Sequence, residues 1–148
     1  MGTKRTKTEL LIIHCTATKE GQDVKAKDVD KWHKQKGWRC IGYHYLIDLD
    51  GTIEKGRNED EVGAHCSGYN SKSIGICYVG GLDKDGKTPK DTRTKEQKEA
   101  LWKLLIELIK KYPDATIHGH CEFANKACPC FDVKKEYYNI NLKKDISK

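Results

Sequence analysis

The hydrophobic residues of the chain fall into a few short runs and one long periodic segment. Residues 9–14 and 73–79 each contain a short apolar run of the length expected for strands buried on both faces. Between residues 94 and 112, leucine and isoleucine recur with the spacing of a helix that packs one face on a core. Thr94 and Gln97 have the spacing of a capping box at its start. The pattern predicts two buried strands and a long helix, followed by a last short strand at residues 115–118.

A shorter helix and a hairpin are predicted between the two buried strands. Residues 25–36 place apolar and aromatic side chains at helical spacing, and Gly37 follows as a helix stop. From residue 41, apolar and polar positions alternate up to an Asp-Gly turn at residues 50–51, and residues 52–55 return as the second arm. The alternation predicts that Tyr43 and Tyr45 share one face of the sheet and that His44 points to the other.

The order of elements indicates an α/β fold. Strand, helix, hairpin, strand, long helix and strand are typical of a single domain with a central mixed β-sheet flanked by helices. We expect residues 1–8 to form a charged N-terminal tail and residues 9–148 to form the one domain. The charged segment 82–93 is expected to be an exposed excursion. Residues at the ends of the strands, where such sheets place their sites, are the first candidates for chemistry.

Composition limits the function classes without choosing one. The net charge of +6 arises from scattered lysines, which indicates either a solvated surface or a polyanionic partner such as a cell envelope or nucleic acid. Seven cysteines cannot all pair within one chain, so some are free, metal-bound or paired outside it. This cysteine content is consistent with synthesis in a reducing compartment.

The N-terminal residues lack the apolar core of a signal peptide. They are charged and are followed by only four apolar residues, Leu10 to Ile13, and no run approaches the ~20 residues of a membrane span. We therefore expect a protein made in the cytoplasm without a signal peptide and without a membrane anchor.

The segment from His118 to Phe131 concentrates the chemistry of the chain. It contains two histidines, three cysteines, a glutamate and a lysine within fourteen residues. Zinc prefers imidazole nitrogen and thiolate sulfur, and a catalytic zinc has three protein ligands and one open position. The segment could supply two ligands, and His14, at the end of the first predicted strand, is a candidate for the third.

Several short motifs together make the chain resemble the zinc-dependent N-acetylmuramoyl-L-alanine amidases. The resemblance is to the short amidase-type phage lysozymes, which share a fold with the peptidoglycan recognition proteins, and it spans about residues 10 to 138. Its carriers are Ile-Ile-His-Cys-Thr-Ala-Thr (12–18), Trp-His-Lys-Gln-Lys-Gly-Trp (32–38), Gly-Tyr-His-Tyr-Leu-Ile (42–47), Asp-Gly-Thr-Ile-Glu (50–54), Gly-Ala-His (63–65), Gly-Tyr-Asn (68–70), Ser-Ile-Gly-Ile (73–76), Val-Gly-Gly (79–81) and Lys-Ala-Cys-Pro (126–129).

The resemblance implies a Zn²⁺ ion held by His14, His120 and Cys128. His118 lies two residues too early for the spacing to the Lys-Ala-Cys-Pro motif, so it is not expected to be a ligand. Cys121 and Cys130 remain possible competitors for the metal. Cys128 is preferred because it matches the motif.

The resemblance also assigns roles around the metal. Tyr43 and Lys126 match catalytic positions, and the sequence does not decide which of them moves the proton. His65 is expected to bind substrate because the family's Gly-Ala-His loop borders the groove. Tyr69 and Asn70 are further candidates for substrate binding.

The function implied is hydrolysis of the lactyl amide between muramic acid and L-alanine in bacterial peptidoglycan. The absence of a visible export signal favours a phage or prophage endolysin, a monomer that acts at the cell wall after release. One alternative is a peptidoglycan-binding module of the same fold that does not cut. Another is a basic nucleic-acid-binding domain with a structural zinc, but structural zinc sites need four ligands, so no nucleic acid is expected as a partner.

Overall fold

The computed structural model describes residues 2–140 and contains one central sheet with helices on both faces. The sheet strands and helices follow one another in the predicted order, with two additional very short strands. The elements are β1 (Leu10–Cys15), β2 (Thr18–Lys19), α1 (Ala26–Gln35), β3 (Tyr45–Ile47), β4 (Ile53–Lys55), β5 (Ser73–Tyr78), β6 (Gly81–Leu82), α2 (Lys95–Lys111), β7 (Thr116–Gly119) and α3 (Val133–Glu136).

The main sheet is mixed, with strand order β4-β3-β5-β1-β7. Strands β3, β5, β1 and β7 are parallel, and β4 pairs antiparallel with β3. β1 lies between β5 and β7, which explains why its residues after Leu10 are all buried. The predicted α/β fold with a mixed sheet is therefore confirmed. β2 and β6 form a separate two-stranded parallel ladder, which the sequence pattern did not predict.

Helix α2 covers one face of the sheet and α1 contributes to the core on the other. The leucine stripe of α2 is buried in a cluster with side chains of β1, β5 and β7. Val29 of α1 belongs to a smaller cluster with Leu46 and Cys77. The predicted capping box is present, since Thr94 Oγ1 accepts the N–H of Gln97 and Gln97 Oε1 accepts the N–H of Thr94.

The predicted strand from residue 41 is wrong for its first four residues. β3 begins only at Tyr45, and Tyr43 packs against the α1-side cluster whereas Tyr45 lies in the α2-side cluster. The two tyrosines therefore do not share a face. The reason is that the main chain before β3 bonds to α1 side chains: Ile41 N donates to Asp30 and Gly42 N donates to His33.

The charged segment 82–93 is exposed only in its middle. Arg93 is buried, and its guanidinium forms ion pairs with Asp91 and Glu136 and lies 3.4 Å above the ring of Phe131. A guanidinium can be buried when carboxylates satisfy its donors. The prediction of a wholly exposed excursion is therefore wrong at this end.

The first residues of the chain contact the domain. Val62 N donates to Thr3 O, and Arg5 N donates to Asp60 O. The boundary at residue 8 stays a prediction, and residues 141–148 of the predicted domain lie outside the described residues. None of the described helices is long and apolar enough to cross a membrane.

Candidate active site

Two histidines meet at the carboxyl edge of the sheet. His14 lies near the end of β1, and His120 follows β7 directly. Parallel pairing aligns Ile13 with Gly119, so the next residue of each segment comes side by side. The ring centroids of His14 and His120 are 4.5 Å apart. Strand register alone thus brings together two residues that are far apart in sequence.

A loop after β7 adds a sulfur to this pair. The loop is closed by hydrogen bonds from Cys121 N to Cys128 O (2.8 Å) and from the hydroxyl of Tyr78 to Pro129 O (2.6 Å). Cys128 Sγ accepts a hydrogen bond from Cys15 N at 3.2 Å. Within residues 2–140, His14, His120 and Cys128 are the group of histidine, cysteine or acidic residues that could hold a metal ion, with donor atoms within 4.8 Å of one another.

The donor set fits a zinc ion. Ligand bonds of ~2.0–2.3 Å in a tetrahedron require donor atoms roughly 3.3–3.8 Å apart, so a small inward movement from the observed separations would complete the site. The backbone N–H of Cys15 donates to Cys128 Sγ and holds the sulfur beside the two imidazoles. Cys121 and Cys130 do not belong to the group. Three ligands leave one position open, as in catalytic zinc sites.

Both histidines of the group are held in the neutral form. Burial lowers the pKa of His14 well below its usual value, and the neighbouring His65 acts in the same direction. Burial also lowers the pKa of His120, and the ammonium of Lys126 adds to the effect. Neutral imidazole is the form that offers a lone pair to a metal.

His65 is bonded to His14 rather than free in the groove. Its Nδ1 lies 2.8 Å from His14 Nε2, and its Nε2 lies 3.2 Å from Ser73 Oγ. The Ser73 hydroxyl donates to Tyr69 O at 2.8 Å, so it accepts from His65 Nε2. This leaves His65 Nδ1 as an acceptor for the Nε2–H of His14. The geometry therefore assigns Nδ1 of His14 as the nitrogen with a free lone pair.

The absence of a side chain at Gly75 makes room for the ring of His65. A Cβ placed on Gly75 would lie 2.6 Å from the ring of His65, well inside van der Waals contact. The imidazole therefore lies directly against the main chain of β5. Neither this contact nor the role of Ser73 could be read from the sequence, because they depend on how the 63–70 loop folds over the sheet.

The other two predicted substrate-binding residues differ in their surroundings. Asn70 Oδ1 accepts the N–H groups of both His65 and Cys66, so its side chain holds the loop. The Tyr69 ring packs 4.4 Å from that of Phe123 and lies under the ammonium of Lys72. Substrate binding by these residues stays a prediction.

Tyr43 and Lys126 line two different cavities near the ligand group. The ring of Tyr43 is 5.1 Å from that of His14, and burial raises the pKa of its phenol well above the usual value. Lys126 is exposed and lies close enough to His14 and His120 to lower their pKa values. Burial thus holds Tyr43 as a neutral hydroxyl, whereas Lys126 brings an ammonium near the two imidazoles.

A groove of about 470 Å³ runs beside the site. Trp38 and Phe123, which the sequence did not single out for this role, lie in its lining with residues of the 64–70 loop and with His120 and Lys126. A smaller recess of about 230 Å³ lies beyond Tyr43, next to Trp32 and Lys36. His118 takes no part: its ring bonds to Thr116 Oγ1 and Glu122 Oε1.

Comparison with known proteins agrees with this geometry. Residues 4–131 match the family model described as N-acetylmuramoyl-L-alanine amidase. The endolysin of Klebsiella phage KP32 is 47% identical over 133 residues, 90% of this chain and 87% of its own length. The endolysin of Escherichia phage T7 is 46% identical over 132 residues, 89% of this chain and 87% of its own length.

Solved structures show the same fold. The endolysin amidase LysCS from Clostridium intestinale superimposes with a TM-score of 0.81 and 28% identity, covering 97% of this chain and 88% of its own. A complex of tracheal cytotoxin with peptidoglycan recognition proteins LCa and LCx gives a TM-score of 0.75 and 30% identity, covering 93% and 85%. The chain belongs to the N-acetylmuramoyl-L-alanine amidase family.

Proposed function

We propose that the chain is a zinc-dependent endolysin that hydrolyses the lactyl amide between muramic acid and L-alanine in peptidoglycan. Its amidase activity of the endolysin type follows from the family and from the phage relatives. The observation that carries the zinc proposal is the approach of His14, His120 and Cys128 beside a groove that His120 lines. Zinc bound there would supply a Lewis acid that lowers the pKa of water and polarises the amide carbonyl.

The residues around the metal ligands have distinct roles in this proposal. Lys126 places an ammonium beside the groove, where it stabilises the oxyanion that develops as the amide is attacked. Tyr43, kept neutral by burial, donates a hydrogen bond and orients the reacting groups. His65 acts through His14: it accepts the Nε2–H and fixes which nitrogen faces the metal.

The groove is long enough for a substrate larger than the scissile bond. Aromatic side chains at Trp38 and Phe123 offer apolar faces for sugar rings or side chains, and Lys126 and Lys36 offer charge for carboxylates of the stem peptide. We further propose that the protein acts as a monomer, made in the cytoplasm and released to the wall.

The reaction is tested by digestion of purified cell walls with zinc-loaded protein. Mass spectrometry should find glycan strands without peptide and peptides that begin with L-alanine. Cys128→Ser and His120→Ala should each lose bound zinc and at least ~10³-fold of the activity, because each removes one of three ligands. His118→Ala, on the same strand edge but outside the ligand group, should keep both.

Other outcomes would contradict the proposal. Full activity of Cys128→Ser would show that the ligand assignment is wrong. New reducing sugar ends instead of new amino termini would show that a different bond is cut. Tight binding to walls without release of any amine would identify a recognition module that does not cut.

A further inference from the structure

Two thiols that the proposed reaction does not use lie next to the ligand group. Cys15 follows His14 at the end of β1, and Cys130 lies two residues beyond Cys128. Their sulfur atoms are 4.0 Å apart, although 115 residues separate them in sequence. Each thiol therefore belongs to one of the two chain segments that carry metal ligands.

The surroundings of this pair favour a covalent link. A Cβ on Gly81 would lie 2.5 Å from Cys15 Sγ, so the glycine leaves room for that sulfur. Cys15 is 5% exposed, whereas Cys130 is partly exposed in a loop. A disulfide bond is ~2.05 Å long, so its formation requires the two sulfur atoms to approach by ~2 Å.

We propose that Cys15 and Cys130 are a modification site, at which a disulfide oxidant joins the two segments that hold the metal ligands. The proposal depends on the positions of the thiols and not on the reaction catalysed in the groove. Cys128 stays reduced in it, because it is needed as a ligand and accepts the N–H of Cys15.

The chemistry is a thiol–disulfide exchange in two steps. The sulfur of Cys130, which solvent reaches, attacks one sulfur of the oxidant disulfide, and half of the oxidant leaves as a thiol with the proton of Cys130. The sulfur of Cys15 then attacks Cys130 in this mixed disulfide, and the second half leaves as a thiol with the proton of Cys15. Two protein thiols are oxidised and one oxidant disulfide is reduced to two thiols.

The disulfide would add a covalent bond between two segments that non-covalent contacts alone otherwise hold together. Before oxidation, the 128–130 loop is attached to β1 by one N–H···S hydrogen bond and by side-chain packing. After oxidation, the two segments are joined covalently and a loop of more than a hundred residues is closed in the unfolded chain. We expect higher thermal stability and slower loss of metal to a chelator.

The test uses zinc-loaded protein treated with oxidised glutathione, followed by alkylation of the remaining thiols and digestion with trypsin. The tryptic peptide 8–19 contains Cys15, and peptide 127–134 contains both Cys128 and Cys130. These peptides should be joined, and fragmentation between Cys128 and Cys130 should place the link on Cys130. The oxidised protein should melt about 5–15 °C higher, and dithiothreitol should reverse the change.

Matched serine variants separate this link from other oxidation. Cys130→Ser should lose both the joined peptides and the rise in Tm, whereas Cys40→Ser, at a partly buried thiol in the 36–44 segment, should keep both. Alkylation of both Cys15 and Cys130 after complete treatment would overturn the proposal. A link from Cys15 to Cys128, with loss of zinc, would also overturn it.

Discussion

Both ring nitrogens of His65 lie within hydrogen-bonding distance of a partner, and these partners determine the expected effect of a substitution at this position. Its contacts are to Ser73 and to a proposed metal ligand, His14. The resemblance to the amidases suggested contact with substrate, because sequence can place a histidine at a groove but not say which way its ring turns. At the scale of residues, the sequence predicted the three candidate ligands that the structure brings together, while the hydrogen bonds that orient them were not predictable.

We expect His65→Ala to weaken zinc affinity by ~10–100-fold, because hydrogen bonds to the ligands of other metal sites contribute that much. His65→Asn should recover part of the loss, since the amide oxygen can take the place of Nδ1 as an acceptor. A competition assay with a chromophoric chelator measures the affinity. At saturating zinc, KM for wall fragments should change by less than ~3-fold.

The opposite pattern would support the substrate-binding role. Unchanged zinc affinity together with a large rise in KM would show that His65 contacts substrate directly. His118→Ala serves as the control for removal of an imidazole at the same edge of the sheet, because the His118 ring bonds only to neighbours on its own segment, Thr116 and Glu122, among the contacts described for its ring nitrogens.

At the scale of elements, continuous apolar runs and helical periodicity predicted β1, β5 and α2 well. These elements are buried on both faces or pack along one stripe, so their patterns are strong. The segment before β3 was predicted poorly, because the main-chain N–H groups of Ile41 and Gly42 bond to side chains of α1, and only His44 N reaches the neighbouring strand β5. Arg93 was predicted exposed, since Glu136, one of the two carboxylates that satisfy its guanidinium, is distant in sequence.

Gln97 connects α2 to the sheet in a way that its capping-box role did not reveal. Its side chain is fully buried, and Nε2 donates to the carbonyls of Ile47 and Val79. Gln97→Ala should therefore cost about 2–4 kcal/mol, because it removes a cap and the amide donor of two buried carbonyls, of which that of Ile47 keeps the N–H of Val79. Urea unfolding measures the change, and Lys98→Ala, at the exposed neighbour, should stay within about 0.5 kcal/mol. A cost below about 1 kcal/mol for Gln97→Ala would show that water replaces the amide.

At the scale of the whole molecule, Glu59 joins parts that are distant in sequence. Its carboxylate accepts hydrogen bonds from Tyr45 of β3 and from Tyr112 after α2, and it forms an ion pair with Lys111. Burial alone would raise the pKa of Glu59, but the hydrogen bonds, first that from Lys111, outweigh it and lower the pKa to about 2. The loop that carries Glu59 also holds the N-terminal residues.

This carboxylate should contribute to the acid sensitivity of the fold. The unfolded chain binds a proton near the ordinary value of 4.5 and the folded protein only near 2, so the contribution is full above pH 4.5 and is lost as pH falls toward 2. Glu59→Gln should lower the free energy of unfolding by about 1–2 kcal/mol at pH 7, after allowance for solvent screening. The difference from wild type should shrink over that pH range in urea titrations. Glu99→Gln, at an exposed position on α2, should show no such trend.

The exposed stretch around residues 84–90 divides the residues of the proposed site between two parts of the chain. His14, Tyr43 and His65 precede it, and His120, Lys126 and Cys128 follow it. A protein cut at this stretch would yield one fragment with β1, β3 and β5 and another with α2 and β7, each without a complete ligand set. Lytic activity would then require the two fragments to reassemble, because the pairing of β1 with β7 brings the proposed ligands together. The chain is therefore suited to a split enzyme whose activity depends on complementation of the two fragments.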